Sequence, residues 1–380
     1  MKQFRMEVMS RESYYVFGVS GMKGKNERRA RCLFILFYIC LLVFIFGCKS
    51  ESGQKSNEEQ IGKAPFVIEK AIIEPLPLLE DEFAFESSFG WIDDDTIIYA
   101  AKKEEEYYLL SYNLSSKKKE TLYQTNKMIA EASVSPNGKY VFLYTSEDDV
   151  EAHIHILTLD GNEKYTVSIP AREIAFAWNQ FSETVIMINA FYEDWTFNNF
   201  ILDFEAGSIE EIQLPQPFAQ WYSKDEYIYI HWDEQEPQLA APLLTLNIEA
   251  NEVNETLQAV TMFESGKEVL FAAQVSQEEA RLEYTFILED QEIKRLSAGV
   301  NLGDSGGSIP EYDLQEENDS FFTFLIDEKS SSQLIMYNYV TGEQQIVLDH
   351  LASAPISVSP NGKWCLYGYS LENVIEISYL

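Results

Sequence analysis

The chain contains two near copies of one stretch, SVSPNGKY at residues 133–140 and SVSPNGKW at residues 357–364. In each copy a Pro-Asn-Gly sequence separates two runs of apolar and β-branched residues. Proline presets φ for a turn and glycine tolerates positive φ, so this sequence favours a tight turn between two strands. Each copy therefore predicts a β-hairpin.

Weaker versions of the same pattern recur along the chain, each with an apolar residue before a polar turn and an alternating strand. The anchor residues of this series are Trp91, Val134, Trp178, Trp221, Phe263, Tyr312 and Val358. Their spacing stays near forty residues, and each unit has room for about four strands, which is typical of a propeller blade. No long segment has a helical period. The sequence therefore predicts an all-β fold, a β-propeller.

Seven anchors predict seven blades, although six remain open because the repeats at Phe263 and Tyr312 are degenerate. The last anchor is followed by sequence for only three strands, ending near Tyr379. An early strand, residues 66–74, has no blade of its own. Its pairing as the missing outer strand would close the ring and remove exposed strand edges.

The Ser-Pro-Asn-Gly-Lys turns resemble the Ser-Pro-Asp-Gly-Lys turns of TolB-type propeller repeats. The whole layout resembles the YqgU-like β-propeller lipoproteins of bacteria. An N-terminal export signal, the GWIDDD sequence at residues 90–95 and the two turns carry this resemblance, which extends over residues 65–380. It implies a propeller held at a membrane, and it implies no particular activity.

The N-terminal region predicts a lipoprotein signal peptide over residues 1–47, with Met22 as an alternative start. Basic residues 28–31 (RRAR) precede an uncharged apolar run at residues 32–47, the arrangement of a secretory signal. The run ends Ile45-Phe46-Gly47-Cys48, which resembles a lipobox with Cys48 as the site of lipid (palmitate) attachment. The alternative is an uncleaved apolar anchor, and both place the remaining chain outside the membrane.

Polar residues 48–64 predict a flexible tether between Cys48 and the propeller. Eight of the 28 basic residues but only three of the 62 acidic residues lie in residues 1–48, so the remainder carries 20 basic and 59 acidic residues, a net charge of −39. Such a surface repels phosphate backbones and makes nucleic-acid binding improbable. Besides the membrane that holds the lipid anchor, an envelope protein, a basic group or a glycan is the expected partner.

The expected binding face is formed by the connections between the second and third strands of the blades, which are repeatedly acidic. Equivalent loops of a propeller lie on one face of the disc, and loops carry function more often than the scaffold does. The residues predicted to form this face are Glu147, Asp148, Asp149, Tyr192, Glu193, Asp194, Trp195, Trp232 and Asp233. The alternative is an acidic surface that serves solubility alone.

Other chemical signals are weaker. The sequence GDSGG at residues 303–307 matches a serine-protease motif but lacks the histidine context of that family. His153 and His155 lie on one side of a strand and could hold a metal, although a half-buried strand face is the commoner role. No cofactor is expected; Ca²⁺ is conceivable near the carboxylate-rich loops, and Asp93-Asp94-Asp95 fits a plain turn.

The sequence thus predicts a lipid-anchored, extracytoplasmic binding or scaffolding module of the cell envelope. The rival function is an extracellular hydrolase or lyase whose site lies in the propeller channel. That site would need ionisable residues to converge on the innermost strands. The candidates there are Glu86, Glu131, Glu173 and Gln220.

Overall fold

The structure is a computed structural model, which describes residues 67–78, 82–146, 150–194, 196–233, 238–276, 281–288, 292–301, 309–326 and 332–380. The predicted signal peptide, Cys48 and the tether lie outside the described residues. Within these ranges the secondary structure is almost entirely strand, with one 3₁₀ turn, Glu316–Asn318. No described helix is both long and apolar enough to cross a membrane.

The strands form four-stranded antiparallel blades in chain order. A first strand, β1 (Ile68–Pro75), precedes blade one. Blade one contains β2 (Ala84–Trp91), β3 (Thr96–Lys103), β4 (Glu106–Asn113) and β5 (Lys119–Thr125). Blade two contains β6 (Met128–Val134), β7 (Tyr140–Ser146), β8 (Glu151–Thr158) and β9 (Glu163–Pro170). Blade three contains β10 (Glu173–Trp178), β11 (Val185–Phe191), β12 (Phe197–Asp203) and β13 (Ser208–Ile212).

Blades four and five share one strand. Blade four contains β14 (Gln220–Trp221), β15 (Glu226–Ile230), β16 (Ala241–Asn247) and the first part of β17 (Glu252–Ser265). Blade five contains the second part of β17 with β18 (Val269–Val275), β19 (Arg281–Leu288) and β20 (Ile293–Asn301). Ala259, inside β17, has a φ of 55°. It lies next to the register shifts at which β17 stops pairing with β16 and begins pairing with β18. No loop separates these two blades.

The ring ends with blades six and seven. Blade six contains β21 (Tyr312–Gln315), β22 (Ser320–Ile326), β23 (Ser332–Asn338) and β24 (Gln344–Leu348). Blade seven contains β25 (Ile356–Val358), β26 (Trp364–Tyr367) and β27 (Asn373–Tyr379), and β1 pairs with β27 as its fourth strand. The predicted closure by the early strand is confirmed, with Ile68 opposite Tyr379.

Hydrophobic packing between neighbouring blades closes the ring. Each of the seven buried clusters joins two consecutive blades, and the cluster of Ile97, Tyr99, Leu366 and Val374 joins blade seven to blade one. The described strands thus form seven blades, the number that the anchors favoured. One anchor was misplaced, because Tyr312 is the first residue of an innermost strand, whereas Trp91, Val134, Trp178 and Trp221 end theirs.

Candidate functional site

The two faces of the disc carry different connections. The antiparallel order of each blade puts its second-to-third loop at the end where the chain enters its first strand; we call this the loop face. The opposite side, the turn face, carries the first-to-second and third-to-fourth turns. Hydrogen bonds support this division: the N–H of Ser88, in the innermost strand of blade one, donates to Ser370 O on a loop of blade seven at 3.0 Å.

The acidic clusters that fall within the described residues lie in second-to-third loops, so they belong to the loop face. In blade one Glu104 and Glu105 are exposed between β3 and β4. In blade three Glu193 and Asp194 are exposed between β11 and β12, and in blade four Asp233 is exposed after β15. Glu147, Asp148, Asp149 and Trp195 lie outside the described residues.

Local hydrogen bonds orient one of the carboxylates in the acidic rim, the name we give to the exposed acidic residues of the loop face. Asp194 Oδ1 accepts bonds from Thr196 Oγ1 at 2.6 Å and Thr196 N at 3.1 Å. These hydrogen bonds stabilise the charged form of the Asp194 side chain over its protonated form, and they hold the pKa of Asp194 below its ordinary value. The charge at this position is therefore both exposed and oriented.

The predicted aromatic residues of the loop face are only partly exposed. Tyr192 packs against the cluster between blades two and three, and burial raises the pKa of its phenol. Trp232 packs against the cluster between blades four and five, and its carbonyl accepts a 3.1 Å bond from Gln216 Nε2. Both residues support the loops and offer only part of their rings to a partner.

Tyr369 is an exposed aromatic residue of the loop face that the sequence pattern did not single out. Its side chain is 75% exposed on the second-to-third loop of blade seven. The loop around it is held firmly: Gly368 N donates to Pro355 O at 3.0 Å, and Ser370 N donates to Glu372 Oε2 at 2.9 Å. Gly368, the residue before Tyr369, has a φ of 118°, and β26 ends at Tyr367.

The four channel candidates lie on innermost strands and differ in burial. Glu86 is exposed, Glu131 and Glu173 are half-buried, and Gln220 Oε1 accepts a 2.8 Å bond from Ser265 N. A depression of about 640 Å³ lies on the turn face, and none of these four residues lines it. Its lining includes Asp93, which accepts bonds from Asp95 N and Thr96 Oγ1 and so forms the plain turn expected there.

The two histidines occupy the half-buried strand face that was the commoner expectation. His155 Nδ1 lies 3.0 Å from Glu163 Oε2 and 3.3 Å from the Tyr123 hydroxyl of blade one. Burial lowers the pKa of His155. Within the described ranges no group of three or more His, Cys, Asp or Glu side chains is arranged to hold a metal. Residues 303–307, the protease-like motif, lie outside those ranges.

Comparison with known proteins agrees with this architecture. The profile of the family described as "YqgU-like 6-bladed beta propeller domain" matches residues 113–368. This stretch begins at the end of β4 and ends just after β26, so it takes in five complete blades and parts of blades one and seven. The description counts six blades, whereas the described strands of this chain form seven.

Individual relatives extend over most of the chain. The "uncharacterized lipoprotein YqgU" of Bacillus subtilis (strain 168) is 25% identical over 340 residues, which are 89% of this chain and 93% of that protein. The crystal structure of the uncharacterized protein lmo1340 from Listeria monocytogenes EGD-e has a TM-score of 0.68 at 23% identity, covering 76% of this chain and 90% of that one. The β-propeller domain of the Trilobed protease from Pyrococcus furiosus has a TM-score of 0.53 at 15% identity, covering 76% and 91%. These two structures share the fold with this chain.

Proposed function

This chain belongs to the family of YqgU-like 6-bladed beta propeller domains, and on that basis we propose that it is a lipid-anchored protein of the cell envelope whose loop face binds a basic partner. The anchor is Cys48, and the propeller lies on the extracytoplasmic side of the membrane. The name of the Bacillus subtilis relative, a lipoprotein, supports the anchor. The lipobox-like sequence that ends at Cys48 supports Cys48 as the residue that carries the lipid.

The observation that carries the binding proposal is that exposed carboxylates from several blades lie on the same face as the exposed ring of Tyr369. Glu104, Glu105, Glu193, Asp194 and Asp233 come from three different blades and are all exposed on loops of this face. Charges gathered on one surface attract a partner of opposite sign and raise its rate of association. A cationic protein segment or a cationic cell-wall polymer has the required chemistry.

Tyr369 gives the same face an aromatic contact. Exposed tyrosines are enriched among residues that dominate binding energy, because a large rigid ring loses little entropy on binding. A loop already held by backbone bonds adds to this advantage. We assign Tyr369 the role of an anchoring contact and the carboxylates the role of attracting and orienting the partner.

The anchor is tested by the substitution Cys48→Ser in full-length protein expressed in a bacterial host. The wild-type chain is expected in the membrane fraction with an incorporated palmitate label. The variant is expected to lose the label. A variant that is still labelled would overturn the assignment of Cys48.

The loop face is tested by retention of the purified full-length chain on isolated cell envelopes. A variant neutralised at five loop-face carboxylates is expected to bind about tenfold more weakly, since each exposed charge contributes a few tenths of a kcal/mol. These substitutions are Glu104→Gln, Glu105→Gln, Glu193→Gln, Asp194→Asn and Asp233→Asn.

The matched control removes the same number of charges from the turn face and should bind like the wild type. Its substitutions are Asp94→Asn, Asp225→Asn, Glu249→Gln, Glu268→Gln and Glu343→Gln. Equal weakening by both sets would show that net charge matters and the face does not. No weakening by the loop-face set would favour an acidic surface that serves solubility alone.

A further inference from the structure

The position at which the tether joins the propeller decides which face of the disc lies toward the membrane. β1 runs antiparallel to β27, with Ile68 opposite Tyr379 at one end and Pro75 opposite Asn373 at the other. Asn373 follows the second-to-third loop of blade seven, so Pro75 lies near the loop face. Ile68 and Val67 therefore lie at the turn face.

Three contacts confirm this placement of Val67. Leu380 N donates to Val67 O at 2.8 Å, which ties the start of β1 to the end of β27. The Tyr379 hydroxyl donates to Gly362 O at 2.7 Å, and Ile377 N donates to Lys363 O at 2.7 Å. Gly362 and Lys363 belong to the Ser-Pro-Asn-Gly-Lys turn of blade seven, a first-to-second turn.

We infer that the turn face lies toward the membrane and that the loop face is presented away from it. This inference rests on the proposed lipid anchor at Cys48. Eighteen residues, 49–66, separate Cys48 from Val67, and a chain of that length spans at most about 60 Å. A seven-residue strand such as β7 is about 23 Å long, so the loop face lies about 23 Å farther than the turn face from the point where the chain enters the propeller.

The consequence is that the acidic rim and Tyr369 meet partners arriving from outside the cell. A partner embedded in the same membrane would instead meet the turn face. The proposed partner is therefore a soluble or wall-attached cationic group.

The test is energy transfer from single labels on the lipidated, full-length protein to acceptor lipids in vesicles of phosphatidylcholine and phosphatidylglycerol. Matched cysteine positions lie on opposite faces of the same blade. In blade two they are Lys139→Cys on the turn face and Val150→Cys on the loop face; Val150 is 68% exposed. In blade seven they are Lys363→Cys and Tyr369→Cys.

We expect the turn-face label of each pair to give about twofold more transfer, since a strand length separates the two faces. Lengthening the tether by a second copy of residues 49–60 should reduce the difference. Equal transfer within both pairs, or more transfer from the loop face, overturns the orientation.

Flotation of the unlabelled chain with the vesicles separates this result from a failure of the anchor. A wild-type chain that floats while Cys48→Ser does not would support the anchor whatever the labels show. If neither floats, the anchor and the orientation that rests on it are both wrong.

Discussion

The indole N–H of Trp178 donates a 3.3 Å hydrogen bond to the hydroxyl of Ser133, and this bond joins the innermost strand of blade three to that of blade two. Trp178 ends β10, and Ser133 is the next-to-last residue of β6. The same relationship joins blade one to blade seven, where Trp91 Nε1 donates to Ser357 O at 2.9 Å. The tryptophan anchors of the repeat are therefore contacts between blades as well as core residues.

The indole of Trp221 has no such hydrogen-bond acceptor on the part of the preceding blade that the structure describes. It ends β14 in the equivalent position, is 6% exposed, and its indole N–H has no hydrogen-bond partner among the described residues. The residue of blade three that corresponds to Ser133 is Ala177, which packs against the same cluster as Trp221 and has no hydroxyl.

Ser133→Ala is expected to lower the free energy of unfolding by about 1 kcal/mol, because it leaves the Trp178 N–H without its acceptor. Ala177→Ser is expected to raise it by a similar amount by giving Trp221 an acceptor. Chemical denaturation of the two variants measures both changes. Two variants that both match the wild type would show that these positions contribute no bonding energy.

The pairing of β1 with β27 predicts that a disulfide can lock the ring. Ile72 lies directly opposite Glu376, and both side chains are exposed. The double variant Ile72→Cys/Glu376→Cys is expected to form a disulfide and raise the free energy of unfolding by about 4 kcal/mol, since it closes a very long loop. Thermal unfolding with and without reductant measures the gain. The control Ile72→Cys/Asn373→Cys is out of register and should not cross-link.

Glu316 should make stability depend on pH. Its carboxylate lies between blades five and six and accepts bonds from Lys267 N at 2.8 Å and Glu268 N at 3.3 Å. Burial raises the pKa of Glu316 above its ordinary value of 4.5, which these bonds only partly oppose. The folded protein then binds this proton more tightly than the unfolded chain, so stability falls as pH rises from about 4.5 through the raised pKa.

Glu316→Gln is expected to flatten the decline of melting temperature over that range of pH. The glutamine oxygen can still accept one of the two backbone bonds, so the variant should fold. The surface substitution Glu317→Gln is the control and should leave the profile unchanged. A Glu316→Gln profile that matches the wild type at every pH would remove Glu316 as the cause.

Gly266 should tolerate no side chain, since a Cβ there would lie 2.8 Å from Val269 O and within bonding distance of Glu316 Oε1. Gly266→Ala is expected to lower the free energy of unfolding by about 2 kcal/mol. Gly138→Ala has open space around its Cβ but a φ of 66°, so its smaller cost of about 1 kcal/mol would reflect backbone strain alone. Denaturant titration of both variants separates the two effects, and equal losses would contradict the steric argument.

Cys365 is predicted to be unreactive in the folded protein. Its side chain is fully buried between blades six and seven, and burial raises the pKa of the thiol well above its ordinary value. Thiol reagents should modify it only at the rate of unfolding. Labelling followed by mass spectrometry measures this rate, and rapid modification under native conditions would contradict the buried position.

The sequence by itself determined the fold and the blade pattern. Turn residues such as Pro136-Asn137-Gly138 act locally, through φ preferences that do not depend on the rest of the chain. The run of aromatic, aliphatic and β-branched residues that follows the turn then forms β7, Tyr140–Ser146. The location of acidic clusters in second-to-third loops also follows from the order of the strands along the chain.

Tertiary structure decided what depends on contacts between distant residues. The exposure of Tyr369 and the partial burial of Tyr192 and Trp232 follow from how neighbouring blades pack, which the sequence pattern does not encode. The attachment of the tether at the turn face required the register of β1 against β27, two strands at opposite ends of the described chain. A period in sequence specifies each blade, but the hydrogen bonds and apolar contacts that close the ring determine which residues each face presents.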